Sequence, residues 1–74
     1  MPDVRSAFGL AVRAARLARG WSQEQLSEAA GLDRTYVSSL ERGLRNPTLT
    51  TQQRLAKALG MPLQDLIREA ERDA

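Results

Sequence analysis

The chain has no cysteine and no histidine, and Trp, Tyr and Phe occur once each. The missing cysteine excludes a disulfide framework and a thiolate metal site. The missing histidine removes the remaining common zinc ligand and the usual nucleophile and base pairs of enzymes. Catalysis would have to rest on a carboxylate pair or on Ser with Lys, and no pocket-forming arrangement of these is readable in so short a chain. Enzyme activity, cofactor and metal are therefore not expected. Long apolar runs are lacking as well, because arginine interrupts each of them. Neither a signal peptide nor a membrane span is expected, and the location that follows is cytoplasmic.

What is present suits one small all-α domain. A chain of 74 residues buries only about 60% of its unfolded surface, so such a domain is marginal alone and pairing of subunits is a common remedy. The net charge of +2 and pI near 9.9 are too small a surplus to identify a nucleic-acid partner, but the distribution is more informative. Through Gly60 there are nine Arg and Lys against five Asp and Glu, and from Met61 onward two against four.

The basic part contains two short helices joined by a tight turn, between Trp21 and Arg42. Ser22 with Gln25 three residues later forms a capping box. Leu26, Ala29 and Ala30 recur at helical spacing, and Gly31 supplies the left-handed residue that ends a helix. After Leu32, Asp33 is an N-cap for the next helix, whose inward positions are Val37, Leu40 and the aliphatic part of Glu41. At about 100° per residue, Thr35 and Ser39 point away from Val37, Tyr36 and Ser38 flank them, and Arg34 reaches past the helix N-terminus. Solvated helix faces favour Glu, Lys, Ala and Gln. Short hydroxyls with one Arg and one Tyr suit contact with a surface rich in hydrogen-bonding groups, such as double-stranded DNA.

Around this pair, a first helix is expected from about Val4 to Arg19, with Met1 to Asp3 frayed. Phe8, Val12 and Ala15 should face the core, with Arg19 on the same stripe. Leu10 and Leu17 lie on another face. A fourth helix, about Leu49 to Leu59, follows a turn at Asn46 and Pro47 and a Thr48 cap; it is expected to bury Leu49, Leu55, Ala56 and Leu59. Pro62 suits the first turn of a fifth helix, in which Leu63, Leu66, Ile67 and Ala70 recur at i, i+3, i+4 and i+7. The fold class is thus a compact five-helix domain, residues 1–74, with a central helix-turn-helix and a C-terminal helix at roughly residues 62–72.

The run SQEQLSEAAGLDRTYVSSLERG, followed by RNP, resembles the helix-turn-helix of the Cro and repressor (XRE-like) family of phage and bacterial regulators over roughly residues 8 to 67. Within it, the LDRTY segment and the small size are most like the controller proteins of restriction-modification systems. The resemblance implies an apolar core role for Trp21 and a structural ion pair between Arg16 and Glu41. It also implies a backbone contact from Gln23, whose place at a helix N-terminus independently suits a phosphate. Gln52 departs from the family pattern, which commonly has an apolar residue there.

The DNA-facing expectations are as follows. Arg34, Thr35, Tyr36, Ser38 and Ser39 read base edges. Gln23, Arg42, Arg45 and Asn46 contact phosphates, with a base edge as the alternative target of Arg45. The family pairs through C-terminal helices, which implies a homodimer here through Met61, Leu63, Ile67 and Ala70, with Leu66 reserved for the core. The function implied is that of a sequence-specific transcriptional regulator binding a palindromic operator and regulating its own and an endonuclease gene, with RNA polymerase as a further partner. The same fold also serves phage-type repressors and antitoxins, and can host a protein interaction module without DNA binding.

Overall fold

The computed structural model describes residues 3–73 of the chain. Five helices follow one another, α1 (Val4–Ala18), α2 (Gln23–Ala30), α3 (Arg34–Glu41), α4 (Leu49–Ala58) and α5 (Leu63–Asp73). Among the described residues there is no strand, no helix long and apolar enough to cross a membrane and no cluster of ligands for a metal ion. The all-α, five-helix expectation holds. The fraying expected at Met1 and Pro2 lies outside the described residues. Asp3 is instead an N-cap, its carboxylate accepting from the Ser6 N–H at 2.9 Å.

Helix ends fall where side-chain chemistry places them. The capping box is complete: Ser22 Oγ accepts from the Gln25 N–H at 3.1 Å and Gln25 Oε1 accepts from the Ser22 N–H at 2.8 Å. At the other end of α2, Gly31 sits at φ +68° and the Leu32 N–H returns to the Ser27 carbonyl at 2.9 Å, a closure that needs the left-handed residue. That turn sets the angle between α2 and α3. The Asp33 carboxylate then accepts from both the N–H and the hydroxyl of Thr35, at 2.8 and 2.6 Å.

Val12, Leu26, Val37, Leu40, Leu55 and Leu66 are the large side chains buried completely, so every helix sends at least one into a common core. Helix α1 packs on α3 and α5, α2 on α3 and α4, and α4 on α5. Phe8 is buried and Ala15 and Trp21 are half-buried against this core. Arg19 lies outside it, with its guanidinium carbon 4.3 Å from the Trp21 ring centroid and Nη1 donating to the Leu59 carbonyl at 3.2 Å.

Three expectations are corrected. Leu49 is 70% exposed, because at about 100° per residue it stands roughly 120° around α4 from the buried Leu55. Ala70, expected at a dimer surface, is 1% exposed; it shares the Leu66 stripe that α5 lays against the rest of the chain. Pro62 precedes α5 rather than opening it, and its carbonyl accepts from the Asp65 N–H at 3.0 Å. The departure at Gln52 also has an explanation: its amide donates to the Pro47 carbonyl at 3.1 Å and ties the preceding loop to α4.

Two contacts lock α3 in place. A Cβ added at Gly9 would lie 2.8 Å from the Glu41 carbonyl oxygen, so α1 crosses the end of α3 with backbone against backbone, a closeness only glycine permits. Beside that crossing, Arg16 Nε and Nη2 donate to the two Glu41 oxygens at 2.7 and 2.9 Å, and Nη1 donates to the Trp21 carbonyl at 2.8 Å. Both side chains are almost fully buried. The hydrogen bonds to Glu41 hold the Arg16 guanidinium above its ordinary pKa against the opposing effect of burial. No buried side-chain nitrogen or oxygen among the described residues lacks a partner.

Removing one member strands the other's charge in a dry site. Arg16→Ala or Glu41→Ala is expected to cost about 3 to 5 kcal/mol in urea unfolding, with Arg16→Lys recovering little because an ammonium cannot reproduce the two-point geometry. A gentler effect is expected at Asp33, whose carboxyl is held below the ordinary value of 3.8 by the Thr35 hydroxyl and then by the Thr35 N–H. A lowered folded pKa adds stability above the unfolded value and loses it as pH falls through the folded one. The stability difference between the native chain and Asp33→Ala should therefore be full near neutral pH and shrink below 3.8, as followed by thermal unfolding across an acid series.

Candidate nucleic-acid interface

Val37 and Leu40 are the buried anchors of α3, and they turn its N-terminal half outward. Arg34 and Thr35 are exposed there. The Thr35 hydroxyl hydrogen is committed to Asp33, which leaves its methyl and an oxygen lone pair for an outside contact. Tyr36 and Ser38 are half-buried on either side.

Ser39 is the correction on this helix. It is 8% exposed, although on an isolated cylinder it would face away from Val37. The chain beyond α3 doubles back over it: the Leu44 N–H donates to the Ser39 carbonyl at 3.0 Å. Ser39 Oγ donates to the Tyr36 carbonyl at 2.9 Å and accepts from Arg45 Nε at 3.0 Å. It is a buried support, not a base-reading side chain.

The loop cations surround this spot. Arg42 is exposed at the end of α3, with Nε 3.4 Å from the Ser38 carbonyl. Arg45 is exposed, and its guanidinium carbon lies 5.4 Å from the Tyr36 ring centroid. Asn46 is exposed next to it. None of Arg34, Arg42 and Arg45 takes part in an ion pair among the described residues, where the pairs join Arg5 to Asp3, Arg16 to Glu41 and Arg72 to Glu69. Exposed guanidinium groups without an ion-pair partner thus stand at both ends of α3, Arg34 at its start and Arg42 and Arg45 at and beyond its close, and such cations attract a polyanion.

Gln23 stands apart from that cluster. It is half-buried, and its Nε2 donates to Glu41 Oε1 at 3.0 Å, so the N-terminus of α2 is joined to the end of α3 through the buried pair. One amide hydrogen remains for an outside acceptor. Leu44, between Arg42 and Arg45, is a surface residue that sequence reasoning passed over. It is among the exposed large apolar side chains, and its signal was a leucine without helical partners inside a loop of Gly, Arg, Asn and Pro.

The helix-turn-helix family matches residues 12–66. The control protein C.BamHI of Bacillus amyloliquefaciens is 42% identical over 66 residues, spanning 88% of this chain and 82% of that protein. A hypothetical transcription factor of Neisseria meningitidis is 42% identical over 65 residues, 88% of this chain; the chain spans only 61% of the length of that relative. Among solved structures, the restriction-modification controller protein C.AhdI of Aeromonas hydrophila superposes with a TM-score of 0.81 at 44% identity, covering 82% of this chain and 92% of that one. The match over most of the chain and the shared arrangement of helices lead to one assignment: the chain belongs to the helix-turn-helix family.

Proposed function

We propose that the chain is a sequence-specific, double-stranded DNA-binding transcriptional regulator that acts as a restriction-modification controller. The observation that carries this reading is the exposed start of α3 at Arg34, with the exposed Arg42 and Arg45 following its other end, none of them in an ion pair among the described residues, on a helix fixed by contacts of Gly9, Arg16 and Asp33. Similarity to C.BamHI and C.AhdI supports the controller role. Carboxylates would repel phosphates; the acidic residues from Asp65 onward lie on α5, away from this helix in sequence.

With α3 in the major groove, Arg34 extends toward base edges. A guanidinium bidentate to guanine O6 and N7 discriminates by about 1 to 3 kcal/mol. Thr35 offers its methyl to a thymine, and Tyr36 and Ser38 border neighbouring positions. Arg42, Arg45, Asn46 and the free amide hydrogen of Gln23 hold phosphates and fix the register. A twofold dimer separates two such helices by about 34 to 36 Å, the spacing of successive major grooves on one DNA face.

The dimer surface we assign differs from the sequence expectation. Ala70 is withdrawn into the core, and the exposed Leu49 joins Leu63 and Ile67, which are half-buried. Leu63 borders one groove with Met61 and Pro62, and Ile67 borders a second with Val4, Phe8 and Pro47. Such a dimer binds a palindromic operator ahead of its own gene and an endonuclease gene, with contact to RNA polymerase setting the sign of regulation.

Selection of bound sequences from a random DNA pool, followed by binding measurements on the winner, tests this reading. Arg34→Ala should weaken the selected site by about tenfold or more while leaving random DNA nearly unaffected. Arg42→Ala should weaken both alike and reduce the salt slope by about one. Recovery of no preferred sequence would sink the proposal. For the dimer, Leu49→Glu replaces a side chain outside the core, so folding should survive while sedimentation equilibrium registers at least about a tenfold loss of self-association.

A further inference from the structure

Tyr36, Ser39 and Arg45 form a unit that the pattern of α3 alone does not disclose. Ser39 Oγ uses its hydrogen on the Tyr36 carbonyl and presents a lone pair to Arg45 Nε, at 2.9 and 3.0 Å. The Arg45 guanidinium carbon sits 5.4 Å from the Tyr36 ring centroid, within the range of a cation and π contact. One edge and one face of the guanidinium are thereby restrained, and its two terminal nitrogens have no hydrogen-bond partner among the described residues. The restrained group is exposed, while the serine beneath it is buried.

We propose that Ser39 is a positioning residue that holds the Arg45 fork toward DNA before DNA arrives. The proposal rests on the DNA-binding reading above and deepens it. An unrestrained arginine loses much rotamer freedom when it is fixed on a ligand, whereas one already held by its Nε and ring contact loses little. The fork that remains free carries four N–H groups in a plane, suited to the two oxygens of a phosphate or to a guanine edge. Ser39 contributes to binding through Arg45 without touching DNA.

Ser39→Ala separates this role from a structural one. It removes only the hydroxyl, leaves Arg45 Nε open to water, and should lower Tm by no more than about 8 °C, the effect of one lost hydrogen bond. In the free protein, the Arg45 Nε–H signal in nitrogen-proton NMR should be protected from solvent exchange, and Ser39→Ala should abolish that protection. On the selected DNA, Ser39→Ala should weaken binding about tenfold in the native background and less than about twofold when Arg45 is already alanine. An unprotected native Arg45 signal, or one unchanged by Ser39→Ala, would overturn the proposal. So would equal DNA binding by Ser39→Ala and the native chain, or an equal loss with and without Arg45. If no DNA sequence is selected at all, the DNA-binding reading fails, and with it the proposed purpose of the hold, even where the NMR protection is present.

Discussion

The two-point bond between Arg16 and Glu41 is the constraint on which the reading helix depends. One carboxylate receives the α1 arginine and the first residue of α2, while the same arginine reaches the Trp21 carbonyl in the turn between those helices. Four segments meet at one buried charge pair. Its net contribution to folding, relative to an apolar replacement, is small in general because desolvation offsets attraction. Its geometric effect is large: the pair fixes where the last turn of α3 lies against α1 and α2.

From that fixed end, the rest of α3 is directed by elementary helix geometry. Val37 and Leu40 enter the core, Asp33 closes the first turn, and Arg34 is left in solvent. The following loop completes the surface, with Gln52 securing Pro47 and Ser39 securing Arg45. Polar side chains near α3 thus divide into those that carry charge outward and those that keep the carriers in place.

Much of this was legible in the residues. The caps at Ser22, Asp33 and Thr48, the stop at Gly31 and the core positions Val12, Leu26, Val37, Leu55 and Leu66 follow local rules that act within one or two helical turns. The Arg16 and Glu41 pair was legible only through family resemblance, since 25 residues separate its members. What escaped were effects of chain segments returning from elsewhere. Ser39 reads as outward on an isolated helix, and only the loop through Leu44 and Arg45 covers it. Leu49 reads as core by its chemistry, yet its direction around α4 takes it outside. Ala70 fits either a core or an interface, and small residues give no sign of which. Gly9 carried no pattern signal at all, because its role depends on the carbonyls of another helix.

The bare approach at Gly9 leaves no compressible layer between α1 and the carbonyl end of α3. Side-chain packing can yield by changing rotamers, but backbone against backbone cannot. The C-terminal end of the reading helix therefore cannot move any closer to α1. Movement toward α1 is thus closed at this end of the helix, while the exposed side chains of Arg34, Arg42 and Arg45 are not confined by that contact.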